Sequence, residues 1–100
     1  MMARITTHPG EILREEFMVP LKLSANALAL ALRVPATRIG DIIRTGKPRA
    51  VSADTAIRLA RYFGTTPQFW LNLQSAYDLS LVETERGAEI ERDVHPRAAA

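Results

Sequence analysis

Four polar side chains, Thr37, Arg38, Asp41 and Arg44, fall within eight consecutive residues of this chain. On a helix running from Pro35 to Arg44, Ile39 and Ile42 turn inward and these four stay outward, with Ala36 and Gly40 between them. An outward arginine offers a planar fork of donors that matches O6 and N7 of guanine in a DNA major groove, a pairing worth about 1–3 kcal/mol of base discrimination. Thr37 suits a thymine methyl group or a phosphate, and the small Ala36 and Gly40 let such a helix lie close to a duplex. Thr37, Arg38, Asp41 and Arg44 are therefore the candidate base-reading residues. Phosphate contacts should bracket them. A helix starting after Ser24 presents free N–H groups near Ser24 and Asn26. Arg33 precedes the reading helix, and Lys47 and Arg49 follow it.

A reading helix must be held by another helix that crosses it steeply. The window Ala25 to Arg44, ANALALALRVPATRIGDIIR, has the required residues. Ala29 is small where the second helix crosses, Val34 plugs the turn, and Ile39 and Ile42 anchor the second helix on Leu28 and Leu32. Ala29, Val34, Ile39 and Ile42 occupy the fifth, tenth, fifteenth and eighteenth places of a twenty-residue unit, the spacing of a helix-turn-helix. The turn position that wants positive φ, and so favours glycine, is Arg33, at a cost on the order of 1 kcal/mol.

The rest of the chain supplies helices to support this pair. Pro9 opens a first helix carrying Ile12, Leu13 and Phe17, which Val19-Pro20 is expected to end. Ser24 caps a second helix through Leu32, and Pro35 opens the third, closed by Thr45-Gly46-Lys47-Pro48. Ser52 caps a fourth with the stripe Ala56, Leu59, Ala60 and Phe63, and Thr66-Pro67 opens a fifth through about Arg86. Apart from a short extended piece at Ala3 to Thr6, no segment alternates like a strand. The expectation is an all-α, five-helix domain over residues 1–86. The tail, 87–100, is too poor in apolar residues to fold alone and is expected to be disordered.

Charge agrees with this placement. From Ser24 to Phe63 seven basic residues face only Asp41 and Asp54, whereas the segment before is neutral and the segment after carries three basic against six acidic residues. A polyanion contact therefore belongs to the middle of the chain. At 100 residues a single domain is expected, and the lack of cysteine excludes a disulfide framework and a thiolate metal site within it. His8 and His95 lack a partner at ligand spacing, and the glycines form no phosphate-cradling loop. No metal, cofactor or enzymatic activity is expected. No apolar run is long enough for a membrane span and the N-terminus lacks a secretory core, so a cytoplasmic location is expected.

The fifth helix carries Phe69, Trp70, Leu71, Leu73, Ala76, Tyr77, Leu79, Leu81 and Val82, too many apolar residues for one stripe. One face can pack on the other helices. The surplus, with Phe69, Trp70, Leu73, Tyr77 and Leu81 as candidates, would form a homodimer interface. Two-fold pairing would set two reading helices about 34 Å apart on a palindromic site. The alternative is that the helix buries both sides within its own bundle.

The stretches HPGEILREEF, VPATRIGDIIRTG, SADTAIRLARYFGT and PQFWLNLQ together resemble the HigA antitoxin family, relatives of the lambda-repressor-like transcription regulators. The resemblance covers about Pro9 to Leu79. It implies a five-helix fold, homodimerisation, and binding of double-stranded DNA at an operator in its own promoter. It also implies neutralisation of a HigB-type toxin, an mRNA endonuclease of the RelE type. The family usually carries Gln and Glu where Ala25 and Ala27 stand, and Gly at Arg33. A toxin of that kind is basic, and its acidic counterparts here are Glu11, Glu15 and Glu16 or the stretch Glu83 to Asp93. The alternative to an antitoxin is an orphan regulator of the same fold without a toxin partner.

Overall fold

In the computed structural model, residues 4–98 are described, and every regular element among them is helical. A continuous helix, α1, spans residues 9–21. It is α-helical over Pro9–Ile12, widens to a π-helix over Leu13–Met18, and is α-helical again over Val19–Leu21. Four more helices follow: α2 (Ala25–Leu32), α3 (Ala36–Ile43), α4 (Ala53–Phe63) and α5 (Pro67–Asp93).

Capping residues begin these helices where their types demand it. Ser24 Oγ accepts from Ala27 N–H (3.0 Å), Ser52 Oγ from Thr55 N–H (3.3 Å) and Thr66 Oγ1 from Phe69 N–H (3.1 Å). The cap of α1 is His8, whose Nδ1 accepts from Gly10 N–H at 2.8 Å.

Two boundaries differ from the sequence expectation. Val19-Pro20 does not stop α1. Proline has no N–H to donate, and in a regular α-helix its ring meets the carbonyl four residues back. The wider π-turn leading into it, with Val19 N–H reaching Arg14 five residues back, accommodates Pro20, and the helix gains another turn. It stops at Lys22, in the left-handed region (φ 54°), with Leu23 N–H on the Met18 carbonyl. At the other end, α5 passes Gly87 and runs to Asp93, where a break at Arg86 and disorder beyond were expected. An Arg86–Glu89 ion pair (3.3 Å) spans the glycine, and the flanking residues are mostly good helix formers. Residues 94–98 form no regular element. Arg4 to Thr6 form no strand, although Thr6 N–H bonds Ser80 Oγ (3.0 Å). Ala3 and the last two alanines lie outside the described residues.

The core draws on all five helices: Leu13 and Met18 from α1, Leu28, Ala29 and Leu32 from α2, Ile39 and Ile42 from α3, Ala56, Leu59 and Ala60 from α4, and Trp70 from α5. Phe17 joins α1 to this core through Phe63 (ring centroids 4.8 Å apart) and Trp70 (5.2 Å). Beyond Ser80 no described residue of α5 is buried, so the end of this helix stands clear of the bundle. The molecule is accordingly elongated, 54 × 29 × 21 Å.

Candidate nucleic-acid interface

The helix pair α2–α3 has the geometry its spacing foretold. Ile39 and Ile42 are fully buried against Leu28, Ala29 and Leu32, and Val34 is half-buried in the turn. Arg33 adopts the expected left-handed conformation (φ 60°, ψ 46°). Val34 N–H returns to the Ala29 carbonyl (3.0 Å), which closes α2 in the manner usually left to glycine. Pro35 is the N-cap of α3 and not its first residue, and Arg44 lies just past its end with extended backbone (ψ 152°). The helix is thus one residue shorter at each end than expected.

Two residues of α1, Gly10 and Arg14, clamp α3 from behind. Gly10 sits directly beneath it: a Cβ there would collide with the Ile42 carbonyl oxygen and lie 2.8 Å from its carbon. Arg14 Nη1 donates to the Ile43 carbonyl and so caps the C-terminal end of α3. The sequence signal was present in HPGEILREEF, but nothing in its local pattern says what Gly10 or Arg14 would meet about thirty residues on.

His8 seats this clamp. Its Nδ1 is the acceptor for Gly10 N–H, so the ring proton resides on Nε2, which is buried and has no hydrogen-bond partner among the described residues. Tyr77 meets the ring edge to face (4.8 Å). Burial pushes the imidazole below its usual pKa, against a smaller opposing pull from Asp78.

The outward residues of α3 fall into two groups. At the N-terminal end, Thr37 is exposed, while Arg38 is only partly so: its Nη1 donates to Asp54 Oδ2 at 2.7 Å. At the C-terminal end, Asp41 lies 3.5 Å from Arg44 Nη1 and 3.9 Å from Arg49 Nη1, and Arg44 Nε donates to the Lys47 carbonyl (2.9 Å). Asp41, Arg44, Lys47 and Arg49 are therefore brought together, and Arg38 belongs to a separate cluster with Asp54 and Arg58. The Asp54–Arg58 pairing is an i,i+4 spacing legible in sequence, but the link to Arg38 is not.

Of the phosphate-contact candidates, Ser24, Asn26, Arg33, Lys47 and Arg49 are all exposed. The side-chain oxygen of Ser24 is occupied by the Ala27 N–H, which leaves the first-turn N–H groups of Ala25 and Asn26 for an external acceptor. Lys47 is in the left-handed region (φ 49°), a strained position that the sequence did not reveal. Arg49 N–H ties its loop to the Asp41 carbonyl (2.9 Å).

The expected dimer residues need correction. Trp70 is fully buried, packed on Phe17 and donating from Nε1 to Thr65 Oγ1 (2.8 Å), so it has no area to offer a partner. Leu73, Tyr77 and Leu81 are half-buried, and Phe69 is exposed. The apolar residues that α5 leaves to solvent farther along are Leu79, Val82 and Ile90. Glu11, Glu15 and Glu16 are exposed on α1, with Glu15 paired to Arg14 (2.8 Å). No described helix is long and apolar enough to cross a membrane, and no group of potential metal ligands occurs among the described residues.

Residues 13–70 match the helix-turn-helix family. The chain is 56% identical over 79 residues to virulence-associated protein I of Dichelobacter nodosus, covering 79% of this chain and 71% of that protein. Among solved structures it is similar to the Pseudomonas aeruginosa antitoxin HigA with the higBA promoter, at 48% identity and a TM-score of 0.87. That match covers 95% of this chain and all of the other. It is also similar to the antitoxin GraA in complex with its operator, at 45% identity and a TM-score of 0.90, covering 99% of this chain and 98% of that one.

Proposed function

Because the chain belongs to the helix-turn-helix family, in the branch of the HigA antitoxins, we propose that it is a DNA-binding antitoxin. In this reading it represses its own operon and neutralises a HigB/RelE-type mRNA endonuclease. It acts in the cytoplasm as a homodimer on a palindromic operator and is not itself an enzyme.

The observation that carries the reading is the mounting of α3. Its inner side is fixed by Ile39, Ile42, Gly10 and Arg14, so its outer side is presented as a rigid polar surface. Thr37, Arg38, Asp41 and Arg44 supply base contacts. Ser24, Asn26, Arg33, Lys47 and Arg49 supply the sequence-independent grip on phosphates. The exposed apolar residues of α5, Phe69, Leu79, Val82 and Ile90, supply the dimer contact, with Leu73, Tyr77 and Leu81 at its edge. Glu11, Glu15 and Glu16 are exposed carboxylates suited to a basic toxin.

Footprinting the purified protein on the DNA upstream of its own coding region tests the regulatory half. A protected palindrome is expected, and its protection should weaken selectively in Arg38→Ala. A footprint that ignores sequence would overturn the assignment. Co-expression with a small basic protein encoded next to it tests the toxin half: relief of growth arrest supports an antitoxin, and lack of relief leaves a regulator without a toxin.

A further inference from the structure

Arg38 is held from behind by a chain of contacts. Its Nη1 donates to Asp54 Oδ2 (2.7 Å), and the same oxygen accepts from Arg58 Nε (2.9 Å). Arg58 is in turn anchored through Nη1 on the Leu32 carbonyl (2.8 Å), the last residue of α2. One carboxylate at the N-terminal turn of α4 thus connects both helices of the helix-turn-helix. We propose that Asp54 is a positioning residue for base reading, fixing the orientation of Arg38 and withholding its charge from the phosphates. The proposal rests on the assignment of α3 as the reading helix.

The chemistry favours a functional over a structural role. A guanidinium has five N–H donors, and Asp54 takes one of those on Nη1, so the Nε–Nη2 edge is left for a bidentate contact. A free arginine would have to be frozen from many rotamers on binding, and a tethered one is already ordered. Asp54 is exposed, and surface ion pairs contribute little to stability, so the fold does not depend on this carboxylate. Its hydrogen bonds from Arg58, then Arg38, hold the carboxyl below its ordinary pKa and keep it ionised wherever the protein is folded near neutral pH. An untethered Arg38 keeps its full attraction for any phosphate.

The test is a double-mutant cycle read as a ratio. Wild type, Asp54→Asn, Arg38→Ala and the double variant are titrated at several salt concentrations against the footprinted duplex and a scrambled duplex of equal length. Asp54→Asn is expected to bind the scrambled duplex more tightly, to show a steeper salt dependence, and to lose roughly tenfold in the ratio of the two affinities. In the Arg38→Ala background the same change should leave the ratio where it was. Both duplexes are measured on one preparation, so partial unfolding lowers both affinities and cancels. An unaltered ratio in Asp54→Asn, or an equal loss with Arg38 absent, overturns the role of Asp54 alone. A wild-type protein that does not distinguish the duplexes overturns the DNA-reading assignment beneath it.

Discussion

Gly10 and Gly40 lie on opposite sides of the same problem. Gly10 faces the back of α3, where a single added carbon would run into the backbone of Ile42. Gly40 lies on the front of that helix, where an added carbon would meet nothing within 4 Å. The back of α3 is therefore closed by contacts within the protein, whereas the front is open at Gly40 and carries only surface pairings around it. An open front on a helix so tightly held is what the proposed docking to DNA requires. The two arginine clusters on the front make the same point, since their partners are surface carboxylates and carbonyls and not a core.

Changes at the back should cost stability and changes at the front should cost DNA binding. The largest effect expected is that of Ile39→Ala, which empties a fully buried site and should destabilise by about 3–4 kcal/mol in denaturant unfolding. Gly10→Ala should follow, at about 2–3 kcal/mol, because the obstruction is backbone and α1 must move off α3 to admit the methyl group. A Gly10→Ala protein as stable as wild type would show that α1 does not hold the back of α3 at this point. Gly40→Ala should do the reverse: it gains up to about 1 kcal/mol of stability from helix propensity and loses operator affinity. Unchanged affinity would mean that the front of the helix does not approach DNA closely at Gly40.

The smallest effect is expected at the seat of the clamp. The imidazole of His8 titrates below its ordinary value near 6.5 in the folded protein, so the unfolded chain takes up the proton first as pH falls. Its contribution to stability is complete above about pH 6.5 and declines as pH drops from there toward the folded value. His8→Asn, which retains a capping acceptor for Gly10 N–H, should flatten that decline in thermal melts below about pH 6.5. A slope that persists in the variant would assign the pH dependence to another group.

Five helices, most of their starts and the inward pair on α3 are legible in the amino-acid sequence alone. These depend on short-range physics: a hydroxyl three residues from an N–H, a proline with no N–H to offer, and apolar side chains repeating at helical spacing. Even the left-handed backbone at Arg33 was legible, because the turn between two crossing helices demands it whatever residue stands there. Tertiary structure decided what short-range patterns leave open. Trp70 and Leu79 look equally free to leave the bundle when read along α5, yet Phe17 from α1 packs on Trp70 and Leu79 stays exposed. Pro20 reads as a helix terminator until a π-turn accommodates it. Arg38 reads as a free cation until folding brings Asp54 to it across sixteen residues of chain. In each case the deciding partner lies on another helix or in an altered turn, and neither is encoded in the spacing of the residues it acts on.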